Sequence, residues 1–146
     1  MIWREVLHQM SRMANGAGTS KKRLGDRGED LAATYLEQKG YVILERNYRA
    51  LSAEIDIICQ DSANEVGGTG GAGDLVFVEV KTRISASHGS PIEAVTQQKL
   101  NHIRRAADHY LFSQEIENVH CRFDVIGIIM QRGKPHFEHL KDVLDY

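Results

Sequence analysis

LVFVEVKTR, residues 75–83, has the composition of a buried β-strand, yet it carries an acidic and a basic side chain. Four of its first six residues are β-branched or aromatic, which favours a strand. Alternate side chains of a strand share a face, so Glu79 and Lys81 are expected on the face that also carries Leu75 and Phe77. Burying such charges is costly unless they are paired, hydrogen-bonded or bound to a metal ion. The charged pair therefore marks this strand as a candidate functional site.

EIDIIC, residues 54–59, is a second β-rich run that contains acids. Its alternation predicts Ile55, Ile57 and Cys59 on one face, and Asp56 on the other. The segment between the two runs, residues 61–74, is rich in Gly, Asn, Ser and Asp, which indicates a flexible turn. Neighbouring strands joined this way usually pair antiparallel. Asp56 would then lie beside Glu79 and the lysine, an arrangement suited to holding Mg²⁺ and a water next to a phosphodiester.

Composition bounds the class of protein. The chain has 146 residues, of which 42% are hydrophobic and 26% charged, as expected for one globular domain. Its formal net charge of −2 argues against coating nucleic acid through bulk charge, although a local basic surface stays open. Cys59 and Cys121 lie in apolar runs and are predicted to be reduced core thiols. No run reaches transmembrane length and no signal-peptide core is present, so we expect a cytoplasmic protein without a membrane partner.

The N-terminal region, residues 1–22, is predicted to be an extension of a single domain at 23–146. Residues 1–14 carry a helix-like apolar stripe, which fits a docking helix, an upstream translation start or a partner-binding tail. Residues 15–22, NGAGTSKK, have the composition of a flexible linker. The sequence leaves the role of this extension open.

The remaining elements follow in the order α-β-β-β-α-β with a tail. A helix is predicted over 26–39, with Gly40 ending it. Glu29 lies at the margin of its apolar face, so it either points inward or is a favourable acid in the first turn. After a strand at 41–48 and the two acid-bearing strands, SPIE at 90–93 is a capping box that predicts a helix to about Phe112 with Val95 in its core. Residues 121–130 form a further strand, and Phe137 belongs to a short one.

This ordered set of motifs resembles the YraN-like family of small uncharacterised bacterial proteins. These belong to the restriction-endonuclease-like PD-(D/E)xK superfamily and are similar to Holliday-junction resolvases. The resemblance implies an α/β fold, with a mixed sheet of four or five strands flanked by helices. It is carried by GDRGEDLAATYL (25–36), GYVILERNYR (40–49), EIDII (54–58), LVFVEVKTR (75–83), residues 89–99 and CRFDV (121–125).

The resemblance also implies a nuclease-type site that binds Mg²⁺ or Mn²⁺. Lys81 would orient or deprotonate the attacking water and neutralise charge in the transition state. Glu54 would support the neighbouring acid, Asp56. Ile55 stands where the superfamily has proline, which removes no ligand. The implied metal ligands are Asp56, Glu79, Glu29 and the backbone carbonyl of Val80.

The expected function is a metal-dependent nuclease acting on DNA, including branched or nicked DNA. Two alternatives stay open: a module that binds nucleic acid without cutting it, and a protein-interaction scaffold whose acids are structural. Because the resolvases are dimers, the resemblance also leaves a homodimer open. The basic side chains expected to bind nucleic acid are Arg46, Arg49, Arg83, Lys99, Arg104 and Arg105.

Overall fold

The computed structural model describes residues 20–62, 73–85, 87 and 89–144. Within them the chain forms two α-helices, one 3₁₀ helix and five strands. Their bounds are α1 Ser20–Gln38, β1 Tyr41–Ala50, β2 Ala53–Asp61, β3 Asp74–Arg83, the 3₁₀ helix Pro91–Ala94, α2 Gln97–Ser113, β4 Cys121–Gln131 and β5 Lys134–Leu140. This is the predicted order, and the strand expected around Phe137 is β5.

The strands form one mixed sheet in the order β1-β2-β3-β4-β5. β3 and β4 are parallel, whereas the other neighbouring pairs are antiparallel. A parallel pair needs a crossover connection, which the 3₁₀ helix and α2 provide. β3 and the first part of β4 are buried on both faces, which explains their nearly continuous apolar sequences. The predicted mixed sheet flanked by helices is therefore confirmed.

Each face of the sheet has its own helix and core. Leu31, Ala32 and Leu36 of α1 are fully buried in one cluster, together with β-strand valines and isoleucines. Ile103, Ala106 and Ala107 of α2 belong to a second cluster on the other face. The alternation predicted for β3 is confirmed, because Val76, Val78 and Val80 join the α1 cluster while Leu75 and Phe77 join the α2 cluster.

At Gly28 α1 approaches the sheet closely. A Cβ atom at this position would lie 1.8 Å from Oγ1 of Thr82, near the end of β3. Glycine inside a helix costs about 1 kcal/mol relative to alanine, so its presence here needs a packing reason. The missing side chain supplies one, since it lets the helix carry Glu29 up to the ends of the strands.

Two helix boundaries differ from the prediction. α1 begins at Ser20, so the segment expected to be a linker contributes its last three residues to the helix. Lysine and arginine are good helix formers, and they extend the helix where serine and glycine nearby suggested a loop. The second helix begins at Gln97, with Thr96 Oγ1 accepting a hydrogen bond from the Lys99 N–H.

The SPIE segment forms a separate 3₁₀ helix rather than the first turn of α2. The Ser90 hydroxyl accepts a hydrogen bond from the Ile92 N–H, one residue earlier than in a capping box. Val95 is extended, so it separates the two helical segments and lies outside the α2 core where the sequence placed it.

Several predictions concern residues outside the described ranges. These are the helix-like stripe at 1–14, the first part of the linker at 15–19 and most of the glycine-rich segment, 63–72. Cys59 and Cys121 are buried and unbridged, as predicted for core thiols. Neither described helix has both the length and the apolar composition that crossing a membrane requires.

Candidate active site

Three carboxylates from α1 and β2 meet at one end of the sheet. Glu29, Glu54 and Asp56 each place a carboxylate oxygen within 4.8 Å of the other two. With its amide nitrogen turned toward them, Asn47 of β1 donates hydrogen bonds to Glu29 Oε2 at 2.9 Å and to Glu54 Oε1 at 3.0 Å. The helix acid therefore points inward, as one of the two sequence-based alternatives proposed.

Asp56 is held where the pairing of β2 with β3 stops. The register runs from Asp61 opposite Asp74 to Ile57 opposite Val78. Beyond this point the Val80 N–H donates to Asp56 Oδ2 at 2.7 Å instead of to a backbone carbonyl. This bond fixes one carboxylate oxygen of Asp56 against β3.

The predicted alternation of β2 is wrong at Ile55. This residue joins the α2 cluster, whereas Ile57 joins the α1 cluster, although strict alternation would place both on one face. The paired strand β1 has a left-handed residue here, Asn47, with φ of 54°. Such a conformation twists the strand locally. Ile55 and Ile57 therefore pack in different core clusters although they are two residues apart.

Glu79 is almost completely enclosed beside this cluster, with 3% of its surface exposed. Its Oε1 lies 3.4 Å from Lys81 Nζ and 3.7 Å from Lys99 Nζ. Its Oε2 is buried and accepts no hydrogen bond from the described residues while Asp56 is ionised, whereas a protonated Asp56 hydrogen-bonds to the Glu79 carboxylate. Leaving a buried acceptor unsatisfied costs about 1–3 kcal/mol, and more for a charged group.

The carboxylates of this site suppress one another's ionisation. Burial, and after it the charge of Glu79, raises the pKa of Asp56 to about 7, although the Val80 hydrogen bond opposes the shift. Burial, followed by the charges of Asp56 and Glu54, raises the pKa of Glu29 to about 7. Near neutral pH these two carboxyls are therefore only partly ionised, because burial and then repulsion from the neighbouring acids disfavour their charged forms. A bound cation would relieve this repulsion.

Asp124, another buried acid of the sheet, shows the opposite arrangement. Arg122 Nε donates to its Oδ1 at 2.9 Å, and the Asp142 N–H does so at 3.0 Å. His139 Nε2 lies 2.7 Å from its Oδ2. Burial alone would raise the pKa of Asp124, but the hydrogen bonds from His139 and Arg122 outweigh it and keep the pKa below its usual value. This acid is a saturated structural group, unlike Glu79.

The basic side chains expected to bind nucleic acid differ in their contacts. Arg46 Nη2 lies 2.6 Å from Asp30 Oδ1, and Arg49 Nε lies 3.2 Å from Glu54 Oε2. Arg83 Nη1 donates to the Gly89 carbonyl at 3.5 Å. Lys99 reaches Glu79, while Arg104 and Arg105 are exposed on α2. Contact of these groups with nucleic acid stays a prediction.

Sequence reasoning missed Asn47 and gave Lys99 a different role. Lys99 lies four residues before Ile103 and seven before Ala106, which are both buried, so it starts the same helical face. That spacing was a signal that the ammonium group turns toward the sheet. Asn47 gave a weaker signal, a polar residue within the strand that precedes the acids.

Comparison with known proteins places the chain among uncharacterised relatives. A family model described as "Uncharacterised protein family UPF0102" matches residues 28–128, from the middle of the helix that carries Glu29 to β4. A UPF0102 protein of Chlorobium chlorochromatii is 52% identical over 127 residues, covering 82% of this chain and 88% of that protein. One from Syntrophomonas wolfei is 42% identical over 119 residues (82% and 95%), and one from Trichlorobacter lovleyi is 39% identical over 129 residues (88% and 94%). Their names state no activity.

Proposed function

This chain belongs to the uncharacterised protein family UPF0102, and we propose that it is a metal-dependent nuclease that hydrolyses phosphodiester bonds in DNA. The observation that carries the proposal is the buried Oε2 of Glu79, which accepts no hydrogen bond from the described part of the chain while the neighbouring Asp56 is ionised. A purely structural acid would be satisfied, as Asp124 is. An unsatisfied carboxylate next to Asp56 is better explained as a ligand for a cation.

The donor set fits Mg²⁺ or Mn²⁺. Both ions prefer carboxylate oxygens, and such oxygens are what this site offers. We assign Asp56 and Glu79 as the main ligands, with Glu29 completing the set and Glu54 supporting it. The Val80 N–H orients Asp56, and a contribution from the Val80 carbonyl stays a prediction. A bound divalent ion polarises a phosphoryl oxygen and stabilises the negative charge that grows during hydrolysis.

The two lysines supply the positive charge of the site. Lys81 and Lys99 both approach the same oxygen of Glu79, and their side chains are 38% and 39% exposed, so each ammonium group is also open to a ligand. We assign Lys81 to orient the attacking water and to neutralise charge on the phosphoryl group in the transition state. We assign Lys99 to hold the Glu79 carboxylate in position and to add a second cation on the phosphate side.

DNA is proposed as the substrate because the ordered motifs resemble those of junction resolvases. The chemistry of the site itself fits any phosphodiester, since carboxylates, a divalent ion and ammonium groups recognise the phosphate rather than the base. Branched and nicked DNA are the substrates that this resemblance favours.

A cleavage assay with a matched pair of variants tests the proposal. Labelled linear, nicked, single-stranded and four-way DNAs are incubated with Mg²⁺, Mn²⁺ or a chelator. We expect metal-dependent cleavage of at least one substrate, its loss in Glu79→Gln and its retention in Glu117→Gln, which changes an exposed acid outside the site. Cleavage that persists in Glu79→Gln would overturn the assignment. DNA binding without any cleavage would favour the non-catalytic module.

A further inference from the structure

A groove runs between the turn that joins β1 to β2 and the side of α2. We call it the hairpin groove. Its first part is a cavity of about 570 Å³ whose walls include Leu51 and Ser52 of the turn and His102 of the helix. The same three residues line a second cavity of about 310 Å³, which extends to Arg105. The two cavities therefore form one continuous depression.

The groove opens directly into the candidate active site. Glu54 lines the first cavity and is one of the three clustered carboxylates. Lys99 also lines it, and its Nζ lies 3.7 Å from Glu79 Oε1. A chain that lies in the groove would consequently present its next phosphate to the carboxylates.

Basic side chains follow the groove away from the site. Lys99, His102 and Arg105 lie at three-residue intervals on α2, so they share one side of the helix. From the first to the last the helix rises about 9 Å, at about 1.5 Å per residue. Arg49 and Glu54 line the first cavity and pair with each other at 3.2 Å, whereas the described lining of the second cavity includes Arg105 and no acid. This charge complements a polyanion although the whole chain has a net charge of −2.

The size of the groove and its apolar wall favour a single strand of nucleic acid over a duplex. A space of about 570 Å³ falls in the range of pockets for one small molecule, about 300–1,000 Å³. A pocket in this range encloses one nucleotide-sized group rather than a base-paired duplex. Leu51, with 61% of its surface exposed, offers an apolar contact to a base that is not stacked in a duplex.

We propose that the hairpin groove binds one unpaired strand of nucleic acid next to the phosphodiester that is cleaved. This inference rests on the proposed nuclease function and narrows its substrate to nucleic acid with a single-stranded segment at the cut. Arg105 contacts a phosphate of that strand, and Leu51 contacts a base. The groove recognises the backbone charge and an exposed base face, which single-stranded DNA and RNA share.

Adjacent arginines on α2 provide a matched pair for the test. Arg105 lines the groove, whereas Arg104 lines neither of its two cavities, and both are exposed. Fluorescence anisotropy measures binding of labelled oligodeoxyuridylate, oligouridylate and a duplex of equal length, without divalent metal so that no strand is cut. We expect Arg105→Ala to weaken single-strand binding about fivefold and Arg104→Ala less than about twofold. Tighter binding of one of the two single strands identifies the sugar that the groove prefers.

The salt dependence separates the charged contact from the apolar one. Loss of one phosphate contact with a single strand should reduce the slope of log affinity against log salt by about 0.7 in Arg105→Ala. Leu51→Ala should weaken binding without changing that slope. Equal effects of Arg104→Ala and Arg105→Ala, or tighter binding of the duplex than of both single strands, would overturn the proposal.

Failure of the groove and failure of the nuclease function give different results. If strand binding depends on Arg105 but the protein cuts nothing, the groove proposal is supported and the nuclease function is refuted. If metal-dependent cleavage depends on Glu79 but Arg105→Ala changes neither binding nor cleavage, the nuclease function is supported and the groove proposal is refuted.

Discussion

Replacing Asp56 by asparagine should stabilise the metal-free protein. The substitution keeps the size of the side chain and an oxygen that can accept the Val80 N–H, but it removes the charge. Burial and the neighbouring Glu79 raise the pKa of Asp56 from 3.8 to about 7, so ionising this group is unfavourable in the folded protein. Asparagine avoids that penalty.

The sign and size of the change in the free energy of unfolding follow from the pKa values of Asp56 in the unfolded and the folded protein. Between about pH 4 and pH 7 the folded protein keeps a proton on Asp56 that the unfolded chain has released, so the free energy of unfolding decreases as pH rises. Above pH 7 the full penalty applies. A difference from 3.8 to about 7 corresponds to at most about 4 kcal/mol. Partial screening by solvent reduces this, so Asp56→Asn should raise the free energy of unfolding by about 2–4 kcal/mol at pH 8 and by little at pH 4.

Urea denaturation at these two pH values, without divalent metal, measures the effect. Asp124→Asn is the matched control, because it changes another buried aspartate whose partners lower its pKa. A lowered pKa contributes stability above the ordinary pKa, and this contribution is lost as pH falls. Asp124→Asn should therefore destabilise the protein at pH 8, by about 3 kcal/mol if Arg122 loses its charged partner. Destabilisation of similar size by Asp56→Asn would refute the reasoning.

Three further predictions concern groups around the site. Glu29→Gln should weaken Mn²⁺ binding in calorimetry without unfolding the protein, because it removes one of three clustered carboxylates; an unchanged affinity would return Glu29 to a helix-start role. Lys81→Ala should abolish cleavage in a gel assay while most DNA affinity remains, and a wild-type rate at saturating metal would contradict its assigned role. Gly28→Ala should lower the melting temperature although alanine favours a helix by about 1 kcal/mol. Gly25→Ala, whose new methyl group meets no atom within 4 Å, should raise it, and equal effects would show that close packing at Gly28 is unimportant.

The sequence predicted the parts of the molecule that depend on local pattern. Strand β3 alternates as its sequence indicates, and this alternation placed the charge of Glu79 inside the core. The antiparallel pairing of β2 with β3 followed from the short glycine-rich connection between them. The inward orientation of Glu29 was one of two alternatives, and packing at Gly28 decided between them.

The features that the sequence did not predict depend on contacts between residues distant in the chain. Ile55 and Ile57 of β2 belong to different core clusters, next to the left-handed Asn47 on the paired strand β1, and no pattern within β2 indicates this. The ion pair of Lys99 with Glu79 forms because α2 crosses the sheet at that point, although charge alone suggested a solvated face. The start of α2 depended on competition between two capping residues, Ser90 and Thr96.

Calorimetric titration of Mn²⁺ tests most directly whether the clustered carboxylates form a cation site. The pKa values of Asp56 and Glu29 are both raised to about 7, so at pH 7 an arriving ion should displace protons, up to about one per ion. Titrations in two buffers of different ionisation enthalpy measure that release. We expect binding of Mn²⁺ with proton release in the wild type, and weaker binding with less release in Asp56→Asn. Absence of binding, or equal affinity and equal proton release in the two proteins, would contradict the assignment of this site.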